Sequence, residues 1–248
     1  MLYAGLPIGA IGSSVLNAFW LSNPAGKAIV IIHFFGSILA WSVMITKWRE
    51  LNQAQRLSSR FHTAYRKEPY PVSLFLKRLR FDGSPVFAVY EGICRALVTL
   101  IESHGGDTED LFVGDAGTPK RRLKESEINA LRTLGEGALA AQAFRLENGM
   151  SMLAIAVSAA PTLGLLGTVW GVMEAFGAMT SSGSAMLSAV APGISGALLT
   201  TVTGLLVALP SAVVYNMLTD RIRALCLSTE NFLQSLLADV ESHYRQQD

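Results

Sequence analysis

Two stretches of the chain decide its fold: GLLGTVWGVMEAF at residues 164–176 and VAPGISGALLTTVTGLLVALPSAVVYN at residues 190–216. Both lie within residues 148–219, where Glu174 is the only charged side chain. Apolar segments of this length, rich in Gly, Ala and Thr, are typical of membrane-spanning helices and unusual in a globular core. They predict a transmembrane hairpin of closely packed helices with hydroxyl groups at bilayer depth. That combination suggests an ion path between helices.

A third apolar stretch precedes the hairpin. Residues 28–46 are uncharged, and nineteen helical residues rise about 28 Å, close to the roughly 30 Å of a bilayer core. The composition, with 50% hydrophobic residues and a mean hydropathy of +0.37, also favours a membrane protein. We therefore predict an all-α membrane protein with three transmembrane helices, at residues 27–46, 150–176 and 189–218, and with long helical cytoplasmic extensions.

Residues 1–26 need a separate interpretation because they are uncharged as well. No Lys or Arg precedes Lys27, so the basic region of a secretory signal is missing. Glycines and prolines interrupt the segment, and Asn23-Pro24 marks its end. We interpret residues 1–26 as a periplasmic or interfacial segment with a short helix, and keep a fourth span as the alternative.

Positive charges near the ends of the spans set the orientation. They follow the first span, precede the second at Arg145 and follow the third at Arg221 and Arg223, whereas residues 177–188 carry no charge. Because Lys and Arg concentrate in cytoplasmic loops close to the spans, we place residues 47–149 and 219–248 in the cytoplasm. The N-terminus and the turn at 177–188 then lie on the periplasmic side.

The cytoplasmic residues predict further helices. The first helix continues past the membrane to about Arg66, before two prolines. A second helix starts at Ser84-Pro85, since Ser caps and Pro suits the first turn, and it runs to about Ser103. The glycines of residues 104–119 indicate a loop. A helix that begins near Lys120 then continues unbroken into the second span.

Small residues recur three or four positions apart on both helices of the hairpin, which places them on one face of each helix. Because lipid offers little hydrophobic gain when apolar helices join, these residues predict close packing. Prolines in the same helices have no backbone N–H, so they leave carbonyl oxygens at bilayer depth without a helical donor. The residues concerned are Pro161, Gly164, Gly167 and Gly171 in the second span, and Pro192, Gly193, Gly196 and Gly204 in the third.

Hydroxyl side chains accompany the glycines. Thr168 in the second span and Thr200 and Thr201 in the third predict a polar seam that can replace part of an ion's hydration shell, with Ser195 as a further oxygen. Each Thr alone can instead bond to its own helix and play no part in transport. Glu174 is either a functional intramembrane acid or a side chain that simply reaches water, and the sequence favours neither.

Other chemistry finds little support. A polar contact with a neighbouring helix is an adequate explanation for His33, in the first span. Cys94 and Cys226 are isolated and lack metal-ligand spacing. Patterns for a nucleophile, a phosphate-binding loop or a metal site find no match. The net charge of +1 gives no basic excess for nucleic acid. We therefore expect neither enzymatic activity nor a cofactor.

The pattern GTVWG followed by VAPGIxxALxxT and GLxxAxPxxxxYN resembles the TolQ/ExbB/MotA family of ion-driven inner-membrane motor subunits, and its TolQ and ExbB branches most. GSILAWSVMITKW (residues 36–48) and YNMLTDRIRALCLSTENF (residues 215–232) are similar to the family's first helix and tail. Residues between them match in length and helical character only. The resemblance implies a subunit of the bacterial inner membrane that couples proton flow to force on the cell envelope or to outer-membrane transport.

The resemblance also implies an assembly. The subunit would form a homopentameric ring around two helices of a single-span TolR/ExbD-like partner, whose intramembrane Asp binds and releases the proton. A TolA/TonB-like protein would transmit the force. Thr168 and Thr201 match the family's threonines that line the path. One position departs: TolQ and ExbB carry a glutamate where this chain has Gly196, whereas MotA-type subunits manage without that acid.

Three accounts of this departure stay open. Glu174 substitutes for the missing acid, since both positions lie in the outer half of the hairpin. Alternatively, hydroxyls such as Ser195 and Thr200 form a Na⁺ path, since oxygen ligands can replace water around Na⁺ without a proton acceptor. In the third account the chain is a structural membrane scaffold that has lost transport. We favour proton coupling through the partner's acid.

Overall fold

The computed structural model describes the backbone of residues 8–103, 123–182 and 187–244, and the side chains of residues 15–100, 123–180 and 190–244. Every regular element within these ranges is an α-helix. The seven helices are α1 Ile8–Leu21, α2 Pro24–Tyr65, α3 Ser73–Leu76, α4 Pro85–Ser103, α5 Glu125–Glu147, α6 Met150–Ser182 and α7 Leu187–Tyr244.

The chain divides into two compact units. Met1–Thr46 and Gly149–Met217 form the first, which we call the apolar unit; Lys47–Asn148 and Leu218–Asp248 form the second, which we call the charged unit. The divisions fall within one residue of the inner ends that the sequence predicts for the three spans.

Three of the described helices, α2, α6 and α7, are long and apolar enough to cross a membrane. Their surfaces expose large apolar side chains, with Phe34 64%, Trp170 50% and Leu206 67% accessible in the single chain. Water would disfavour such surfaces, whereas lipid or another apolar helix accommodates them. These helices agree with the three predicted spans.

In the segment before the first span, Ile8–Leu21 form the short helix α1. Its fourteen residues rise about 21 Å, at roughly 1.5 Å per residue, well short of a bilayer core. Asn23 separates α1 from α2 and caps the latter, since its side-chain oxygen accepts the Gly26 backbone N–H at 2.7 Å. Pro24 occupies the first helical position, where a missing N–H costs nothing.

Helix α2 continues into the charged unit as far as Tyr65, as the sequence predicts. Helix α4 spans Pro85–Ser103, with the Ser84 hydroxyl accepting the Phe87 backbone N–H at 3.2 Å, so its predicted start and end are confirmed. The loop predicted at residues 104–119 lies outside the described residues.

The expectation of an unbroken helix from near Lys120 into the second span is wrong. Helix α5 begins at Glu125 and ends at Glu147, and α6 starts at Met150. Gly149 between them has a φ of +83°, in the left-handed region that glycine adopts without strain and that no continuous α-helix contains. A helix boundary therefore lies where the chain passes from the charged unit to the apolar unit.

Aromatic rings form the core of the charged unit. Phe61 is fully buried, and its ring centroid lies 5.2 Å from that of Tyr90 and 5.3 Å from that of Phe232. Helix α4 contributes an almost continuous buried stripe that includes Val86, Tyr90 and Leu97. Edge-on ring contacts of this kind add to the free energy gained by removing apolar surface from water.

Candidate functional site in the helix α6–α7 contact

Glycines bring α6 and α7 into close contact. A Cβ atom added to Gly164 would lie 2.7 Å from the Thr200 carbonyl oxygen and 2.9 Å from the Thr201 Cα atom. A Cβ on Gly171 would lie 2.6 Å from the Ala197 Cβ. These distances are too short for non-bonded atoms, so hydrogen is the only side chain that the contact accommodates. The backbones approach as small residues allow in membrane helices.

The two threonines singled out by the sequence meet across this contact. The Thr168 and Thr201 hydroxyls are hydrogen-bonded to each other. Thr201 Oγ1 also lies 3.0 Å from the Gly164 carbonyl oxygen, and Thr168 Oγ1 lies 3.2 Å from that of Ala197. Both side chains are half-buried in the single chain. Hydroxyl and carbonyl oxygens are thus concentrated at one place that remains partly accessible.

Thr200 occupies a different position. Its side chain is fully buried, and its hydroxyl lies 2.7 Å from the Ala197 carbonyl oxygen and 2.9 Å from that of Gly164. Gly167 leaves the space that Thr200 fills. Thr200 therefore joins the helices, whereas Ser195 is exposed on α7. The structure brings Thr168, Thr200 and Thr201 together and leaves Ser195 apart from them.

The predicted prolines lie inside continuous helices, Pro161 in α6 and Pro192 in α7. Each lacks the N–H that would bond to the carbonyl four residues earlier, so one carbonyl per proline loses its helical donor. In a membrane such a group needs another partner or a polar path. Both prolines are half-buried in the single chain.

Glu174 lies six residues after Thr168 on α6 and contacts the turn between α1 and α2. Its Oε2 atom accepts the Asn23 side-chain N–H at 2.5 Å, and the carboxylate is exposed. No sequence pattern predicts this contact, because Asn23-Pro24 indicates only a helix boundary. The one signal for the Asn23–Glu174 contact in the sequence is a polar Asn at a cap position within a segment that has no charges.

The same turn covers Gly196. A Cβ atom on Gly196 would lie 2.7 Å from the Ser22 Cα and 2.9 Å from the Ser22 Cβ. Ser22 is 6% exposed. A little further along the contact, a Cβ on Gly193 would approach the Ala175 Cβ at 3.2 Å. The position at which the resemblance implies a glutamate is therefore filled here by the α1–α2 turn.

His33 connects the first span to the hairpin. It is 3% exposed, and its two ring nitrogens lie 3.1 Å from the Thr203 hydroxyl and 3.0 Å from the Ala160 carbonyl oxygen. Gly204 makes room for the ring, because a Cβ there would lie 3.2 Å from His33 Cε1. The polar contact expected for His33 is present, and it involves both helices of the hairpin.

In the charged unit, polar side chains that include His62, Arg66, Arg221 and Asp239 line an open pocket of about 1310 Å³. Burial raises the pKa of the Cys94 thiol to about 12, so it stays protonated and unreactive near neutral pH. Burial also raises the pKa of Tyr90, whose hydroxyl oxygen accepts the Phe75 backbone N–H at 3.0 Å. Among the side chains described, no group of three His, Cys, Asp or Glu residues is placed to hold a metal ion.

Comparison with known proteins bears on this arrangement. Residues 110–231 match the MotA/TolQ/ExbB proton channel family, a range that contains the whole α6–α7 contact. The chain is 29% identical to the Tol-Pal system protein TolQ of Haemophilus influenzae over 226 residues, which cover 88% of this chain and 90% of that protein.

Other relatives match over shorter shares of their length. The Biopolymer transport protein ExbB of Pseudomonas putida is 39% identical over 201 residues, covering 77% of this chain and 52% of that protein. The Tol-Pal system protein TolQ of Pseudomonas aeruginosa is 39% identical over 105 residues, covering 42% of this chain and 44% of that protein. The chain thus spans nine-tenths of one relative and about half of the others.

The matched range includes the GTVWG motif and the Thr168–Thr201 pair. The family resemblance inferred from those residues is confirmed, and so is the expectation of a transport subunit without enzymatic activity. The chain belongs to the MotA/TolQ/ExbB proton channel family.

Proposed function

We propose that this chain is the ring-forming subunit of a proton-driven motor complex of the Tol or Ton type in the bacterial inner membrane. The observation that carries the proposal is the Thr168–Thr201 pair, where hydroxyl and carbonyl oxygens of two apolar helices meet and remain half-accessible. Oxygen atoms so arranged at bilayer depth can replace part of an ion's hydration shell. Moving one charge across 100 mV yields about 2.3 kcal/mol, enough over a few charges to shift packed helices.

The ring and its partner enter the proposal because the resemblance implies them, and the distribution of acids in this chain is consistent with them. Its predicted spans contain one acid, Glu174, which lies away from the threonine pair and contacts Asn23. A proton path through Thr168 and Thr201 therefore needs a carboxyl group from another chain. A single-span partner of the TolR/ExbD type with an Asp in its helix supplies that group, and a pentamer of this chain around it would direct the threonine pairs inward.

Proton flux in liposomes tests the proposal. The chain is reconstituted with its single-span partner, and internal acidification is followed with a pH-sensitive dye under an imposed potential. Thr168→Val and Thr201→Val remove hydroxyls while keeping the side-chain shape, and each should reduce flux at least tenfold. Thr168→Ser should retain most of it.

Thr162→Val is the matched control. Thr162 is an exposed threonine of the same helix whose hydroxyl bonds only within α6, 2.9 Å from the Ala159 carbonyl oxygen, so flux should not change. Equal flux in all the Thr→Val variants would overturn the role of the pair. Flux that requires sodium and survives a protonophore would establish the Na⁺ alternative, and no flux with an assembled partner would establish the scaffold alternative.

Glu174 has a separate role in the proposal, as an outer carboxylate that substitutes for the acid missing at Gly196. Its exposure and its bond to Asn23 place a carboxyl group at that end of the hairpin. Glu174→Gln should lower proton flux, and Glu174→Asp should preserve more of it, because charge and not shape is at stake. Unchanged flux in Glu174→Gln would remove Glu174 from the path.

A further inference from the structure

Among the side chains of the apolar unit that the structure describes, His33 is the buried titratable group, and its hydrogen bonds fix where its protons are. The Ala160 carbonyl oxygen can only accept, so His33 Nε2, 3.0 Å away, must carry a hydrogen. His33 Nδ1 faces the Thr203 hydroxyl at 3.1 Å. The Thr203 hydroxyl in turn lies 2.9 Å from the Thr200 carbonyl oxygen. A chain of contacts thus runs from α2 to α7.

The number of protons available to this series of contacts allows two hydrogen-bonding states. In a neutral His33 with its proton on Nε2, Nδ1 is an acceptor. The single hydroxyl proton of Thr203 must then be donated to Nδ1, so Thr203 cannot also donate to the Thr200 carbonyl oxygen. A protonated His33 donates from Nδ1 to Thr203 Oγ1, which frees the hydroxyl to donate to Thr200. Only the protonated ring satisfies all three contacts at once.

The surroundings of the ring contain no competing charge. His33 borders a cavity of about 200 Å³ whose other walls, from α2, α6 and α7, are apolar or glycine, including Gly36, Ala156 and Leu163. On α2 the nearest charge in sequence is Lys27, six residues away and about 9 Å along the axis. On α6 the only acid is Glu174, bound to Asn23, and the part of α7 within the apolar unit carries no Asp, Glu, Lys or Arg.

We infer that His33 is a proton-binding residue whose protonation reverses the Thr203 hydroxyl and so changes how α2 is bonded to the hairpin. The altered bond ends on the Thr200 carbonyl, one residue before Thr201. Within the proposed channel, on which this part of the inference rests, His33 is a positioning residue that makes the geometry of the threonine pair depend on proton concentration.

The test measures His33 directly and does not require ion flux. The full chain, labelled with ¹⁵N in its histidine rings, is placed in nanodiscs and titrated by NMR, with His33→Gln identifying the His33 signals. We expect a change from the Nε2–H tautomer to the doubly protonated ring within the pH range where the protein stays folded. Thr203→Val should move the midpoint by about one pH unit to lower pH, because the charged ring loses an acceptor, and Thr203→Ser should restore it.

Two results would overturn the inference: a His33 ring that keeps one protonation state throughout, or a midpoint that is the same in Thr203→Val and Thr203→Ser. A flux measurement then separates this inference from the proposed function. If the wild type conducts and His33→Gln shows the same pH profile, the effect of His33 on conduction is refuted. If the wild type does not conduct but His33 titrates with Thr203, the proposed function fails and the proton-binding site stands.

Discussion

Each of the two units is stabilised internally, and the two use opposite kinds of contact. The core of the charged unit consists of large rings and branched side chains, with Phe61 and Tyr90 fully buried. The contact of the apolar unit consists of glycines and hydroxyls, with Gly164 against the backbone of Thr200. Water makes burial of large apolar groups favourable, whereas lipid does not, so membrane helices depend on close backbones and polar bonds. The difference teaches that truncation should damage one unit and enlargement the other.

The largest effect is expected for Phe61→Ala in the charged unit. Phe61 is fully buried among six neighbouring rings (His62, Tyr65, Phe81, Phe87, Tyr90 and Phe232), and its removal leaves a cavity in their midst. Substitutions of this kind cost about 3–5 kcal/mol. Hydrogen exchange of the α4 amides in nanodiscs should speed up accordingly. Phe61→Leu, which keeps much of the volume, should lose less; equal losses would mean that the rings do not form a packed core.

Gly164→Val should have the next largest effect, in the apolar unit and by the reverse change. The new side chain meets backbone atoms of Thr200 and Thr201, which do not move unless the helices separate. Overpacking of this kind costs about 1–3 kcal/mol, and it should appear as earlier unfolding of the protein in detergent. Gly36→Val is the matched control, because nothing lies within 4 Å of a Cβ at Gly36. Equal destabilisation by both would refute the close contact at Gly164.

Much of the fold could be predicted because apolar length and end signals are local. The spans follow from uncharged runs, and Ser84-Pro85 marks the start of α4 by its capping chemistry. The boundary at Gly149 was missed because the small residues of α5 read as a continuing helix. Asn148-Gly149 is nevertheless a turn-forming pair, and the φ of +83° at Gly149 is its physical expression.

The site was predictable to a lesser degree. The proximity of Thr168 and Thr201 follows from their similar depth in the two helices that the sequence predicts to form a hairpin. The bond between Asn23 and Glu174 joins residues 151 positions apart, and no periodicity relates them. The link from His33 to Thr203 likewise depends on the rotation of α2 against the hairpin, which three-dimensional packing decides.

Removing a hydroxyl should cost a different amount of stability in the two units, and both losses should be intermediate in size. Tyr90→Phe leaves the half-buried Phe75 N–H without this acceptor, a loss of about 1–2 kcal/mol. Thr200→Val removes only a donor, and the carbonyls that it serves belong to helices with their own hydrogen bonds, so about 1 kcal/mol or less is expected. Thermal unfolding of both variants in one detergent measures the difference. A larger loss for Thr200→Val would show that the hydroxyls hold the apolar unit more strongly than the rings hold the charged one.

The smallest effect is a gain. Gly137 lies on α5 with nothing within 4 Å of a Cβ position, and alanine in a helix is more stable than glycine by about 0.5–1 kcal/mol. Gly137→Ala should therefore raise the unfolding temperature slightly. Gly135→Ala, two residues earlier, would place a Cβ 2.6 Å from Leu233 Cδ1 and should not share the gain. Identical behaviour of the two variants would mean that Gly135 is not packed against Leu233.

The contact between Ser22 and Gly196 restricts how position 196 can be engineered. With the α1–α2 turn seated where a side chain at 196 would project, a mutation that introduced an acidic residue at that position would meet an occupied space. Installing a carboxyl group there therefore requires a second substitution that draws the turn back from α7, and the two changes are tolerated only together.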